Sequence, residues 1–190
     1  FNNRFTGKSI TFQDSANMAG NISLEGNARI TNGIAIQDSA NMTGAITLAG
    51  SSAIANGITI GGNSSGGSGN NASLNGNITM DGTSAIANGI TITNGGTYAG
   101  TIHTKNQSDI DSITIASGGV VGSNTANSMI LSSSNSTIHN IDIQNGGTMY
   151  GNIEAHWAQG ANAVNQKDGN IGDVSITGRL QGDIVLQNKV

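Results

Sequence analysis

Residues 13–24 read QDSANMAGNISL and residues 37–48 read QDSANMTGAITL. The same offset of twenty-four carries Phe12 to Ile36 to Ile60, Gly26 to Gly50, and Asn32-Gly33 to Asn56-Gly57. After an interruption, SAIANGITI at 52–60 returns unchanged at 84–92. Self-similarity at a fixed period of this length marks a repeat architecture, whose units bury their apolar faces by stacking on one another. Inside each twenty-four lies a weaker twelve. Ile-x-apolar begins at Ile10, Ile22, Ile34, Ile46 and Ile58, continues at Ile78, Ile90 and Ile102, and recurs with altered spacing at Ile113, Ile141, Val174 and Ile184. Between residues 10 and 60 apolar or small residues alternate with polar or small ones, which is the period of a strand with one buried face. No window carries the i, i+3, i+4, i+7 spacing of an amphipathic helix.

Two all-β architectures accept such a repeat. Asn-Gly recurs at 32, 56, 88, 94 and 145, and it is a strong hairpin signal. A meander of hairpins, however, gives no reason for identical side chains to fall in register. In a coil that winds once per repeat, Met18 stacks on Met42, Gly26 on Gly50, Asn32 on Asn56 and Asp14 on Asp38, about 4.8 Å apart. The Asn-Gly pairs then mark corners, where both residues tolerate positive φ. A coil of twelve residues per turn leaves little room for a core, and with no cysteine there are no disulfides to replace one. The expected fold is therefore all-β: a right-handed parallel β-helix with turns of about 24 residues, two twelve-residue halves each. Roughly seven or eight turns would make a shaft about 35 Å long. The absence of proline agrees, because every interior strand must donate its N–H groups to the next turn.

Composition removes several function classes. Charged residues are 9% of the chain and the formal net charge is −4, with only seven Lys plus Arg. That argues against nucleic acid, which is held mainly by cations on phosphates. No apolar run approaches the length of a membrane-spanning helix. The start, Phe1-Asn2-Asn3-Arg4, has neither Met nor the basic tip and apolar stretch of a signal peptide, so the chain reads as a fragment of a longer frame.

The whole of 1–190 reads as one solenoid with three interruptions. Residues 61–73 are rich in Gly, Ser and Asn and lack apolar anchors. Residues 122–136 insert a polar stretch around Met129-Ile130-Leu131, expected as a strand between two loops. Residues 155–170 hold the lone Trp of the chain, and here His156, Trp157, Gln159, Lys167 and Asp168 form the candidate partner-binding loop. Trp157 beside His156 suits stacking on a sugar or filling a partner's pocket. The alternative is that Trp157 covers an exposed patch or caps the loop onto the shaft.

Chemistry is sparsely written. Asp14 and Asp38 stack one turn apart, as paired glycosidase acids would, yet both lie in the QDSANM corner, where an Asp accepting local N–H bonds is a turn device. Arg4, Arg29 and Arg179 adjoin no acidic cluster in sequence. His103 and His139 are candidates to face each other across turns, but neither has a metal-binding partner at close spacing. Calcium nonapeptides and phosphate or dinucleotide loops are absent from the sequence. No catalytic residue, cofactor or metal is expected, and the chain is read as a non-enzyme. Thr11, Ser23, Thr47, Thr59, Thr79 and Thr91 are expected mid-strand and pointing outward. An ice-binding rank would need a second Thr two residues on; those positions are Gln13, Glu25, Ala49, Gly61, Asp81 and Thr93, of which Thr93 alone fits, so the rank is broken.

The units GNITMDGTSAIANGITITNGGTYAGTI (76–102) and IDIQNGGTMYGNI (141–153) resemble the passenger regions of Gram-negative autotransporters. They are similar in particular to the vacuolating-cytotoxin-like and adhesin passengers of Helicobacter and Campylobacter. The resemblance implies a β-helical stalk at the bacterial surface or secreted, exported through a C-terminal outer-membrane β-barrel that the solenoid alternation of 174–190 does not represent. Its implied partners are a host-cell receptor or glycan, or a second copy of itself, with no nucleic acid. An adhesin or structural stalk is the leading expectation. A toxin-type passenger segment is the alternative, and a carbohydrate-active β-helix enzyme a more distant one.

Overall fold

The computed structural model describes residues 6–62, 71–156 and 169–187. Four short strands make one turn of a coil. In the second turn they are Arg29–Ile30, Ile34–Ile36, Asn41–Thr43 and Ile46–Leu48. Each pairs in parallel with its counterpart one turn on, so that Ile34–Ile36 leads to Ile58–Ile60, then Ile90–Ile92, then Ile113–Ile115. In the sixth turn two long strands, Thr137–Ile143 and Thr148–His156, run through the corners and join the four stacks into two parallel sheets of 12 and 13 strands. The described chain is thus a parallel β-helix of seven turns with no helix in it.

Strands of the Ile34–Ile36 stack are short because each is one Ile-x-Ile unit with a single outward residue. Ile34, Ile36, Ile58, Ile60, Ile90, Ile92, Ile113 and Ile115 are all buried, while Ala35, Thr59, Thr91 and Thr114 between them are half-buried. β-branched Ile suits a pleated surface packed on one face. Parallel stacking then sets Ile on Ile at one strand spacing, and the interior becomes a set of columns. One column runs Met18, Met42, Leu74, Tyr98, Val121, Met149, Leu180. Tyr98, 1% exposed, sits in it between the smaller Leu74 and Val121.

The twelve-residue sub-repeat is the half-turn. Residues 29–36 and 41–48 are its two instances in the second turn, each holding two strands around one corner. Four-residue turns join the halves, closed by N–H to carbonyl bonds such as Ala40 to Gln37 and Gly96 to Thr93. Asn-Gly 32–33, 56–57 and 88–89 stack at the corner inside the first half. There Gly33, Gly57 and Gly89 have φ of +84, +74 and +71. A Cβ on Gly33 would lie 2.7 Å from the carbonyl oxygen of Gly57, so neither the conformation nor the space admits a side chain. In the second half Gly44, Gly76 and Gly100 do the same work by close approach, each against the carbonyl of the glycine one turn earlier. A Cβ on Gly76 would meet the carbonyl oxygen of Gly44 at 2.1 Å.

The interruptions change the register by countable amounts. Ile58 pairs with Ile90, thirty-two residues on, eight more than the basic repeat. Val120 is twenty-three residues from its partner Thr97, whereas Ile130 is twenty-eight from Ile102. The extra residues therefore lie between 121 and 128. Ser128–Ser133 is an ordinary coil strand with Ile130 buried, so the interruption expected over 122–136 is narrower than its sequence suggests. Asn170 stands thirty-three residues on from its partner Thr137, an interval that includes 157–168.

Candidate functional site

The expected binding loop falls mainly outside the described residues: Trp157, Gln159, Lys167 and Asp168 are among those not described. His156 is described, and it ends the strand Thr148–His156. Strand alternation turns Asn152, Glu154 and His156 outward while Ile153 and Ala155 go to the core. Parallel register brings outward residues of earlier turns beside them: Ser133 is the cross-strand partner of His156, Leu131 of Glu154, and His103 of Leu131.

These side chains form one polar face across successive turns. Glu154 is 8% exposed although it points out of the coil. Its Oε1 accepts a bond from Asn152 Nδ2 at 3.0 Å and its Oε2 lies 2.5 Å from His156 Nε2, an ion pair when the imidazole is protonated. His103 Nε2 is 2.9 Å from Ser133 Oγ. One residue past His103's strand, Lys105 Nζ is 3.1 Å from Asp81 Oδ2, whose other oxygen accepts from Asn106 Nδ2 at 2.8 Å. Burial, helped by the Lys105 and His156 charges and opposed by Asp81, holds the His103 pKa below its ordinary value. The Asn106 hydrogen bond, with Lys105, holds Asp81 below the usual carboxylate range against the effect of its own partial burial.

Other expected sites resolve differently. His103 and His139 do not face each other; they lie in different sheets, on the strands Thr101–Thr104 and Thr137–Ile143. His139 Nε2 instead meets Asp109 Oδ2 at 2.9 Å on an exposed surface. Asp14 and Asp38 do stack, both with φ of +58, and both stand at the second position of four-residue turns. Asp38 Oδ2 accepts the N–H of Asp14 at 3.1 Å, so this carboxylate bonds across turns. The outward hydroxyls divide between two faces: Thr11, Thr59, Thr91 and Thr114 on one, Ser23, Thr47 and Thr79 on another. Among the described residues no three His, Asp or Glu side chains come together as a metal site, and no helix is long and apolar enough to cross a membrane.

The Glu154–His156–Ser133–His103 face went unread in the sequence. Its strands are offset by twenty-three and twenty-eight residues rather than by a uniform twenty-four, so His103 and Ser133 stand thirty residues apart. The one signal available was strand alternation, which placed Glu154 and His156 on the same side. No family model matches the chain, and no curated protein or solved structure matches it.

Proposed function

We propose that this chain is a surface-displayed passenger segment of the autotransporter kind, a β-helical stalk that presents an adhesive loop to a host-cell receptor or glycan. One observation supports the reading above others. Gly169 donates its N–H to the carbonyl oxygen of His156 at 3.1 Å, so the described residues on either side of 157–168 meet at one hydrogen-bonded point of the coil. A solenoid can carry a binding segment there without disturbing the stacking on either side. The exit lies on the half-buried polar face of His103, Ser133, Glu154 and His156, where a partner meets hydrogen-bonding groups rather than apolar core.

The test is binding of the purified protein to epithelial cells beside a variant in which 157–168 is replaced by a short Gly-Ser turn, both shown by circular dichroism to be β-folded. Binding by the parent and loss in the variant supports an adhesive loop. Equal binding by both moves the contact to the shaft, and no binding by either leaves the chain a stalk alone.

A further inference from the structure

The residue that closes one corner turn of each coil faces inward, and in four successive turns it is serine: Ser52, Ser84, Ser108 and Ser136, all 1% exposed or less. Their register is set by the strands they precede, where Ala53 pairs with Ala85, Ala85 with Asp109 and Asp109 with Thr137. A column of hydroxyls therefore runs beside columns of Ile, Leu and Met. Buried hydroxyls are costly unless they are hydrogen-bonded, so each needs an account.

Two of the four are satisfied by protein. Ser108 Oγ accepts the N–H of Lys105 at 3.0 Å. Ser136 Oγ accepts the N–H of Ser133 at 3.1 Å and reaches the Thr104 carbonyl oxygen at 2.8 Å. Their turns contain two residues with left-handed backbone, Asn106-Gln107 and Ser134-Asn135. The turns before Ser52 and Ser84 contain one each, Gly50 and Gly82. In this second kind of turn neither Ser52 Oγ nor Ser84 Oγ reaches a protein partner. Their backbone carbonyls are already taken by the N–H groups of Ala85 and Asp109, at 3.0 and 2.9 Å. Just outside the same corner, Ser51 and Thr83 hydroxyls bond to each other at 2.9 Å, so the outer neighbours are paired and the inner ones are not.

We propose that Ser52 and Ser84 together bind an ordered water molecule inside the coil. Hydroxyls one strand spacing apart, about 4.8 Å, suit a single water that bonds to both and to a backbone carbonyl with a free lone pair. The site belongs to the single-glycine turn, and Ser108 and Ser136 do not share it because their turns supply the partners directly.

The test combines stability and structure. Ser52→Ala and Ser84→Ala are each expected to lower Tm by about 2–4 °C, the double variant by less than the sum, and the outer control Ser51→Ala by less than either. A crystal structure of the parent at about 1.5 Å should show a water within hydrogen-bond distance of both Oγ atoms. A dry site in that structure overturns the proposal whatever the melting curves do. So do single variants as stable as the parent or more so, since removing an unpartnered hydroxyl relieves a cost instead of breaking a bridge.

Discussion

The carboxylate of Asp38 accepts the backbone N–H of Asp14, its counterpart one turn earlier, at 3.1 Å, and both residues hold φ of +58. An identical residue thus serves two needs at once: it tolerates left-handed backbone, and it ties one turn to the next. Asp38→Ala removes the acceptor and puts a Cβ residue with no local hydrogen bonding into that conformation. The expected loss is about 1–3 kcal/mol, measured by urea denaturation. Asp38→Gly relieves the backbone but not the lost bond, and should fall between the parent and Asp38→Ala.

The glycine column separates sterics from composition. At Gly76 a Cβ would lie 2.1 Å from the Gly44 carbonyl oxygen, whereas at Gly20 the nearest atom is the Met18 Cε at 3.7 Å. Gly76→Ala is expected to cost more than about 3 kcal/mol or to prevent β-folding, because backbone must move to admit it. Gly20→Ala should stay within about 0.5 kcal/mol of the parent. Thermal melts followed by far-ultraviolet circular dichroism distinguish the two, and equal effects would show that the turns do not stack this closely.

Acid should weaken the His103 face. In the folded coil His103 titrates below its ordinary 6.5, so the unfolded chain binds the proton more readily. Stability from this group is complete at neutral pH and declines as pH falls below 6.5 toward the folded value. His103→Gln should flatten that part of the stability–pH curve. Asp81 acts at lower pH in the same direction: its contribution is present above 3.8 and is lost as pH falls through its depressed folded value. A curve for His103→Gln that matches the parent between about pH 7.5 and 5 would remove the histidine from the account.

The seventh turn exposes side chains that earlier turns bury. Leu186 is 65% exposed and Ile184 44%, although both continue interior columns, Ile184 above Ile153 and Leu186 above Ala155. Among the described residues the outer edge of this turn carries no further strand, and exposed apolar columns there suit stacking by another strand. Ile184→Lys with Leu186→Lys should lower the sedimentation-average mass of the 190-residue protein at high concentration without changing its circular dichroism. An unchanged mass would mean that this edge does not drive association.

Periodicity made the stacking readable from the residues alone. Twenty-four-residue identity placed Met18 on Met42 and Asn32 on Asn56, and the twelve-residue Ile-x-apolar beat marked the half-turns; the strand register agrees. Repetition makes such neighbours legible because residue i and residue i+24 are forced together by the winding itself. Legibility ends wherever the count breaks. His103 and His139 are candidates to face each other in the sequence, yet His103 meets Ser133, because the residues inserted between 121 and 128 lengthen the offset of the turn that spans them from twenty-four to twenty-eight.

The chain therefore states its architecture in its own alternation: inward Ile, outward Thr, glycine where turns touch. Three-dimensional stacking settled which outward residues share a face, since that depends on where each insertion returns the chain to the coil. It also settled the chemistry of the corners. Ser52 and Ser108 are the same residue at the same column position, and only the local turn, with one left-handed residue or two, decides whether the buried hydroxyl finds a protein partner.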